Sequence, residues 1–262
     1  MSHADVNGLS LHYEEHGSGE PLILLHGGIG AGEMFASILP ELTAARRVIT
    51  VDLQGHGGTA DVDRPLRPEL MADDIAALLD HLGLEQADVM GYSLGGMVAL
   101  RTAIQHPARV RRLVLVSVGF RRDGSHPEVV AAMDQMSAAA AEPMRQSPLY
   151  AQYERLAPRV EDWPVLIGKI SDALKVDYDW TADIARITAQ TLLVYADADS
   201  VRPAHIVELF ALLGGGLRDA GWDNSSQPAN QLAILPGRTH YDVYLAPALP
   251  PIVVGFLDAP PR

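Results

Sequence analysis

The chain has 262 residues and carries 33 Asp and Glu against 20 Lys and Arg, which gives a formal net charge of −13. This acidic balance argues against nucleic acid and against membranes as partners, because their anionic surfaces bind clustered cations. A hydrophobic content of 48% is enough to bury a core, and the absence of cysteine excludes disulfide scaffolds, thiolate metal sites and cysteine nucleophiles. Residues 1–8 show no signal-peptide pattern and no apolar stretch reaches the ~18 residues of a membrane span, so we expect a cytoplasmic protein.

Short apolar segments alternate with longer helical patterns along the chain, which is typical of a mostly parallel sheet covered by helices. The predicted strands are Leu9–Glu15, Leu22–Leu25, Val48–Val51, Asp88–Tyr92, Leu113–Ser117, Leu192–Tyr195 and Leu232–Leu235. The first of them carries His12, Glu14 and Glu15, so we expect an antiparallel edge strand with solvated side chains. Amphipathic spacing that ends at a Gly or Pro predicts helices over Met71–Leu82, Leu94–His106 and Pro203–Leu213.

The alternation stops between Gly119 and Ala185, where no strand is predicted and prolines separate several short helical patterns. We expect one α/β domain, residues 1–118 and 186–262, with a helical lid, residues 119–185, inserted in it. A second irregular segment, Gly214–Asn230, is polar and Gly-rich, and we expect a surface excursion there that affects oligomerisation or access to a pocket. The protein is expected to be a monomer or a homodimer.

The segment Gly91-Tyr92-Ser93-Leu94-Gly95 matches the pattern G-x-S-x-G and lies between a predicted buried strand and a predicted helix. A glycine two residues on either side of the serine permits a sharp strand-to-helix turn. Such a turn exposes the Ser93 hydroxyl at the carboxyl edge of the sheet, at the positive end of the helix dipole. The pattern therefore predicts a nucleophile, and the alternative is a serine that only caps the helix.

A serine nucleophile needs a base to take its proton and a carboxylate to orient that base. His240 follows the last predicted strand and Asp199 follows the strand before it. Both therefore fall at the same edge of a parallel sheet as Ser93, where ligands bind. Asp197 is the alternative carboxylate, and Asp123 is a more remote one.

The oxyanion of acyl transfer needs two backbone N–H donors. The N–H of Leu94, directly after the nucleophile, is one candidate. The loop after Leu22–Leu25 supplies the other, with Gly28 as our choice and Ile29 as the alternative. This loop superficially resembles a dinucleotide-binding fingerprint, but Glu33 stands where Gly or Ala is needed, so no cofactor is expected.

Two further segments resemble known motifs less closely. The segment His12-Tyr13-Glu14-Glu15-His16 has Tyr13 where the zinc motif H-E-x-x-H has glutamate, so no metal site is expected. The segment Asp52-Leu53-Gln54-Gly55-His56-Gly57 follows a predicted strand and reads as a structural turn. There, glycines adopt positive φ and Asp52 bonds the backbone.

Taken together, these segments resemble the α/β-hydrolase fold family, and in particular its lid-bearing serine esterases. The resemblance rests on His26-Gly27-Gly28, Asp52–Gly57, Gly91–Gly96 and the chain order Ser93, Asp199, His240. The sequence departs from the family's usual motifs at Gln54, where Arg is common, at Gly58-Thr59, where a Ser is common, and at Ala196, where Gly is common.

The resemblance implies an α/β-hydrolase fold and two-step ester hydrolysis by Ser93, His240 and Asp199. The alternatives are an enol-lactonase or a C–C bond hydrolase with the same residues and, outside the enzymes, a receptor-like protein that binds a ligand with little turnover. The substrate is expected to be a small-molecule ester or related acyl compound with small to medium apolar groups. The residues expected to contact it are Ile29, Tyr92, Met133, Met136, Trp163, Trp180 and Tyr241.

Overall fold

The computed structural model describes residues 2–260, and eight strands of this part of the chain form one sheet. The strands are β1 (Ser2–Val6), β2 (Leu9–Gly17), β3 (Glu20–Leu25), β4 (Arg46–Val51), β5 (Ala87–Tyr92), β6 (Val110–Val116), β7 (Gln190–Ala198) and β8 (Gln231–Thr239). Their order is β1-β2-β4-β3-β5-β6-β7-β8, with β1 and β2 antiparallel and all pairs from β4 to β8 parallel. All seven predicted strands are present, and the mostly parallel sheet is confirmed.

Helices cover both faces of the sheet. They are α1 (Leu39–Leu42), α2 (Pro68–His81), α3 (Leu94–Gln105), α4 (Pro127–Gln135), α5 (Ala141–Met144), α6 (Pro148–Leu156), α7 (Trp163–Lys175), α8 (Pro203–Leu212) and α9 (Leu249–Asp258). Residues of α2, α3 and α8 belong to one buried apolar cluster and residues of α1 and α9 to another. Alternate residues of β3, such as Ile23 and Leu24, enter the two clusters in turn, as expected of a strand buried on both faces.

The prediction of an antiparallel edge strand at Leu9–Glu15 is wrong in one respect, because β1 pairs outside β2 and is itself the edge. His12 and Tyr13 are consequently buried, with 8% and 6% of their surface exposed, instead of solvated. β1 has only two buried side chains, Ala4 and Val6, among polar neighbours, so its sequence pattern is too short to predict a strand.

The helix α9 is absent from the sequence prediction. Its first turn contains Pro250 and Pro251, which read as helix breakers. Proline is tolerated in the first turn of a helix, where the backbone N–H groups have no partner within the helix. Val253 and Phe256 then bury the apolar side of α9 against the sheet.

A helical segment, residues 119–185, joins β6 to β7 at the position predicted for the inserted helices, and we call it the insert. Its two ends pair with each other, because the N–H of Arg122 donates to the carbonyl of Tyr178 and the N–H of Trp180 to the carbonyl of Phe120. The Lys169 ammonium of α7 donates to the carboxylate of Asp61 at 2.6 Å, in the loop after β4. The two ends of the insert are therefore bonded to each other, and Lys169 attaches the insert to the loop after β4, while its action as a lid stays a prediction.

The excursion Gly214–Asn230 joins the end of α8 to the start of β8. It therefore lies at the amino end of the parallel strands, whereas Ser93 follows the carboxyl end of β5. The excursion and Ser93 therefore lie at opposite ends of the strands, and the predicted effects of the excursion on oligomerisation and on access to a pocket stay predictions. None of the helices within residues 2–260 combines the length and the apolar character that a bilayer crossing demands.

Candidate active site

Ser93 sits in a strained turn between β5 and α3. Its backbone has φ 52° and ψ −116°, a combination that side-chain-bearing residues rarely adopt. The flanking glycines make the turn possible. A Cβ at Gly91 would lie 2.1 Å from the carbonyl oxygen of Gly95, and one at Gly95 would lie 2.3 Å from that of Leu25. The predicted strand–turn–helix context of Ser93 is present in the structure.

The structure brings Ser93, His240 and Asp199 together from three parts of the chain. The Oγ atom of Ser93 lies 3.1 Å from Nε2 of His240, and Nδ1 of His240 lies 3.1 Å from Oδ1 of Asp199. Asp199 directly follows β7 and His240 directly follows β8, so the parallel sheet delivers both side chains to the edge where β5 ends. This arrangement can pass a proton from a serine hydroxyl to a histidine that a carboxylate orients.

Asp199 is buried and accepts several hydrogen bonds. Its Oδ2 accepts from the Ser117 hydroxyl and from the N–H of Ala196, and its Oδ1 accepts from the N–H of Val201. Burial by itself raises the pKa of the Asp199 carboxyl, but the bonds from His240, Ser117 and Ala196 outweigh burial and hold the pKa below its usual value. Asp199 is therefore an anion at neutral pH, which keeps the His240 Nδ1 proton directed at it.

The two alternative carboxylates lie elsewhere. Asp197 is exposed and accepts the N–H of Arg238 at 3.2 Å. Asp123 accepts from the side chain of Arg121 at 3.1 Å and is also exposed. Of the three candidates, only Asp199 is hydrogen-bonded to His240.

The loop after β3 forms a tight turn, because the N–H of Gly30 donates to the carbonyl of Gly27 at 3.1 Å. Ile29 has φ 62°, an uncommon and strained value for a β-branched residue. A Cβ placed on Gly28 would lie 3.9 Å from the Leu94 side chain, so the two predicted donors are neighbours. Within residues 2–260, the N–H groups of Gly28 and Leu94 have no hydrogen-bond acceptor, which leaves both available to a ligand oxygen.

His26 holds this turn in place and is a residue that motif reasoning left without a role. One ring nitrogen lies 2.7 Å from the carbonyl of Gly27, and the other accepts the N–H of Leu53 at 3.0 Å. Burial lowers the pKa of His26, which is consistent with a neutral ring that donates on one side and accepts on the other. Its position directly before two glycines is the only sequence signal that could have indicated it.

The structural turn predicted after β4 is confirmed. Gly55 and Gly57 have φ of 74° and 50°, and the Asp52 carboxylate accepts the N–H groups of Gly32 and Gly58, both at 2.7 Å. It also lies 2.8 Å from Nδ1 of His12. Within residues 2–260, no three His, Asp or Glu side chains are arranged so that they could hold a metal ion.

The residues predicted to contact substrate differ widely in their exposure to solvent. Tyr241 is 73% exposed and its ring lies 5.5 Å from that of His240. Ile29 is half-buried beside the turn at Gly28. Met133 and Met136 are half-buried in the insert, and Met136 packs against the larger apolar cluster. For these four residues, contact with substrate stays a prediction.

The two tryptophans of the insert are core residues. Trp163 has no exposed surface, packs against Tyr150 and Tyr153, and donates its indole N–H to the carbonyl of Ala141 at 2.8 Å. Trp180 is 6% exposed and lies beneath the guanidinium of Arg101. The prediction that they contact substrate is not supported, because their aromatic surfaces are already covered by neighbouring side chains.

Tyr92, directly before Ser93, is buried as well. Its side chain is 6% exposed, and its hydroxyl donates to the backbone carbonyl of His240 at 2.7 Å. The hydroxyl of Tyr92 is therefore engaged with the protein itself, and contact between Tyr92 and substrate stays a prediction.

Comparisons with known proteins identify the fold family. Residues 20–152 match the sequence model of the α/β hydrolase fold family. The chain is 31% identical over 240 residues to RutD of Azorhizobium caulinodans, whose name assigns carbamate hydrolysis to it, and the alignment covers 84% of this chain and 88% of that one. It is 40% identical over 113 residues to the 2-hydroxymuconate semialdehyde hydrolase of Pseudomonas sp. strain CF600, which is 42% of this chain and 40% of the relative. The chain thus aligns with less than half of the length of that second relative.

Solved structures share the whole fold. A hydrolase from Pseudomonas aeruginosa PA01 is 27% identical with a TM-score of 0.71, and the alignment covers 98% of both chains. The enol-lactonase from Burkholderia xenovorans LB400 has a TM-score of 0.73 over 98% of this chain and all of its own, at 22% identity, and this likeness concerns the fold alone. The chain belongs to the α/β hydrolase family, and its relatives support a hydrolase.

Proposed function

We propose that this protein is a serine hydrolase that cleaves carboxylic esters of small to medium apolar compounds through a covalent acyl-enzyme. The observation that carries the proposal is the continuous contact from Ser93 Oγ to His240 Nε2 and from His240 Nδ1 to Asp199. Serine hydroxyls are weak nucleophiles unless a neighbouring base removes the proton. Here the base, its carboxylate and a strained, partly exposed serine occur together at the end of one sheet.

The chemistry would run in two steps. His240 takes the Ser93 proton as Oγ attacks the ester carbonyl, and the imidazolium then protonates the leaving alcohol. A water activated by His240 attacks the acyl-enzyme, and Ser93 recovers its proton as the acid leaves. Asp199 accepts the Nδ1 hydrogen bond throughout and stabilises the imidazolium.

The oxyanion of each tetrahedral intermediate would be held by the N–H groups of Leu94 and Gly28. Both groups lack an acceptor within residues 2–260, and a Cβ on Gly28 would lie 3.9 Å from the Leu94 side chain. Leu94 is also the first residue of α3, where the helix dipole favours negative charge. Loss of one such donor typically costs roughly 3 kcal/mol of transition-state stabilisation.

Apolar surroundings support an apolar substrate. Ile29 is adjacent to the donor Gly28, Leu94 is the other donor, and the side chains of both pack against the large apolar cluster that Met136, Ala140 and Met144 of the insert also contact. In this proposal the insert acts as a lid that lines the acyl or alcohol pocket. Met side chains adapt to several shapes, which fits a site that accepts more than one ester.

A C–C bond hydrolase is the second candidate, since the 2-hydroxymuconate semialdehyde hydrolase is among the relatives. It would use the same three residues but would act on a β-diketone-type compound. Carbamate hydrolysis is supported in the same way by the similarity to RutD. Lactones remain chemically accessible to the same acyl-transfer machinery.

The experiment is a comparison of wild type with Ser93→Ala on p-nitrophenyl esters of increasing chain length, a lactone, an aryl carbamate and a 2-hydroxy-6-oxodienoate. We expect turnover of short to medium esters by wild type and a loss of about 10⁴-fold or more in Ser93→Ala. Turnover of the dienoate alone would replace the ester proposal with C–C hydrolysis. Undiminished turnover in Ser93→Ala would refute both.

A further inference from the structure

The hydroxyl of Tyr92 makes a contact across 148 residues of sequence that the proposed chemistry does not use. It donates to the backbone carbonyl of His240 at 2.7 Å. Burial raises the pKa of Tyr92 far above its usual value, so the hydroxyl stays protonated and remains a donor. His240 comes directly after the last residue of β8, and its side-chain position depends on where this stretch of backbone is held.

The ring of Tyr92 makes two further contacts. It lies 5.6 Å from the imidazole of His240 and 4.9 Å from the ring of Tyr244, which flanks it. On another side it occupies the space that a side chain at position 27 would need. A Cβ on Gly27 would approach the ring to 2.7 Å. The glycine directly before the candidate oxyanion donor Gly28 is thus required by the presence of Tyr92.

Tyr92 therefore touches the three loops that must stay in register. It precedes Ser93 in the chain, its ring packs against the turn that carries Gly28, and its hydroxyl is bonded to the backbone of His240. The Oγ to Nε2 distance of 3.1 Å between Ser93 and His240 is at the long end of the range for a productive hydrogen bond. A small displacement of the His240 backbone would move Nε2 out of reach.

We propose that Tyr92 is a positioning residue that holds His240 in register with Ser93 and the oxyanion turn through its hydroxyl bond to the His240 carbonyl. This inference rests on the proposed function, since it assigns a role in bringing the base to the nucleophile. The inference assigns a separate role to each part of the side chain. The ring sets the distance to Gly27, and the hydroxyl holds the His240 backbone at its distance from Ser93.

The test compares Tyr92→Phe with Tyr244→Phe. Tyr92→Phe removes the hydroxyl that bonds to His240 and keeps the ring. Tyr244→Phe removes the hydroxyl of the adjacent ring, and that hydroxyl has no hydrogen-bond partner within residues 2–260. We expect kcat per titrated active site to fall about tenfold in Tyr92→Phe with KM within twofold of wild type, because substrate contacts are unchanged while the base is misplaced. The rate of inactivation by a fluorophosphonate should fall by the same factor. Tyr244→Phe should remain within twofold of wild type in each measurement.

A readout that does not need turnover separates this inference from the proposed function. The downfield proton resonance of His240 Nδ1–H, assigned by its absence in His240→Gln, should shift or broaden in Tyr92→Phe and remain unchanged in Tyr244→Phe. If no ester is hydrolysed by any form, the proposed function fails while the resonance still tests the positioning role. Equal kcat values and equal resonances in the two variants would overturn the inference. A lower melting temperature in Tyr92→Phe with unchanged kcat per titrated site would also overturn it, since that pattern marks a purely structural bond.

Discussion

Two of the aspartate–histidine pairs in the protein, Asp199–His240 and Asp52–His12, have similar local geometry and different surroundings. Asp199 and His240 lie 3.1 Å apart at the carboxyl edge of the sheet, and the second ring nitrogen of His240 faces Ser93. Asp52 and His12 lie 2.8 Å apart inside the domain, and both are buried. Within residues 2–260 the second ring nitrogen of His12 has no hydrogen-bond partner.

The carboxylates of the two pairs are held in comparable ways. Each is buried, which alone raises the pKa, and in each case the hydrogen bonds it accepts outweigh burial, so that the pKa lies below its usual value. The difference lies in what the imidazole faces on its other side. An aspartate–histidine pair can act on a substrate only if the ring nitrogen that faces away from the aspartate contacts a nucleophile that substrate can reach. Otherwise the pair only stabilises a loop.

The histidines provide the largest expected contrast. His240→Gln should lower kcat on a short p-nitrophenyl ester by about 10⁴-fold, because the proton of Ser93 loses its acceptor. His12→Gln should leave kcat within about threefold and lower the free energy of unfolding by about 2 kcal/mol, since it disturbs a buried hydrogen bond. Initial rates and urea titrations of both variants measure the contrast. A loss of activity in a fully folded His12→Gln would erase the distinction between the pairs.

Substitution of Asp199 should again lower activity and substitution of Asp52 should again lower stability, with a smaller effect on kcat than for the histidines. Asp199→Asn should lower kcat by about 10³- to 10⁴-fold, because an amide neither holds the imidazole tautomer nor stabilises the imidazolium. Asp52→Asn should lower the free energy of unfolding by about 3 kcal/mol, since the amide cannot accept from Gly32, Gly58 and His12 together. Both values come from paired kinetics and urea unfolding. A stable Asp52→Asn protein would show that the inner pair does not hold its loop.

Another buried histidine, His205, extends the comparison to acid stability. Its Nε2 accepts the N–H of Phe120 at 3.1 Å, and its ring stacks on Phe120, so the folded protein needs the neutral form. Burial, together with the nearby positive charge of Arg121, lowers the pKa of His205 from 6.5 to about 4. The unfolded chain thus takes up this proton below pH 6.5, whereas the folded protein takes it up only near pH 4. The stability that neutral His205 contributes is present in full above pH 6.5 and is lost as the pH falls from 6.5 to about 4.

The prediction is that wild type loses about 3 kcal/mol more between pH 6.5 and pH 4 than His205→Gln does, because glutamine can accept the same hydrogen bond without titrating. Urea unfolding at a series of pH values measures the difference. Parallel pH profiles for the two proteins would contradict the assignment of a neutral His205.

The smallest expected effect concerns the insert. Lys169→Met removes the ammonium that donates to Asp61 and to the carbonyls of Val62 and Arg64 at 2.6 to 2.8 Å. If the insert lines the substrate pocket, KM for medium-chain esters should rise about threefold with little change in kcat, since binding loosens while the chemistry is untouched. Lys175→Met, on the same helix and exposed, is the matched control. An unchanged KM in Lys169→Met would argue against a lid that depends on this attachment.

Features that depend on residues close together in the sequence could be predicted, whereas features that depend on contacts between distant segments could not. The strands after Leu22 and the turn at Ser93 depend on local patterns and glycine sterics, and they were predicted. The order Ser93, Asp199, His240 is a sequence feature as well, so these residues could be proposed before their geometry was known.

Contacts between distant segments could not be read in the same way. The burial of His12 depends on β1 pairing outside β2, and a five-residue strand with two apolar side chains carries almost no pattern. The Tyr92 bond to His240 joins the end of β5 to the residue after β8, and no local sequence pattern encodes the distance between them. Trp163 was assigned to the pocket because aromatic residues in an insert suit a ligand, but its partners are tyrosines of the insert itself.

The most direct test of the central claim is to trap the nucleophile. Wild-type protein, Ser93→Ala and His12→Gln are treated with a fluorophosphonate and digested, and the peptides are mapped by mass spectrometry. The account predicts one adduct, on Ser93, in wild type and in folded His12→Gln, and none in Ser93→Ala. An adduct on another residue, or no adduct on folded wild-type protein, would contradict the assignment of Ser93 as the nucleophile.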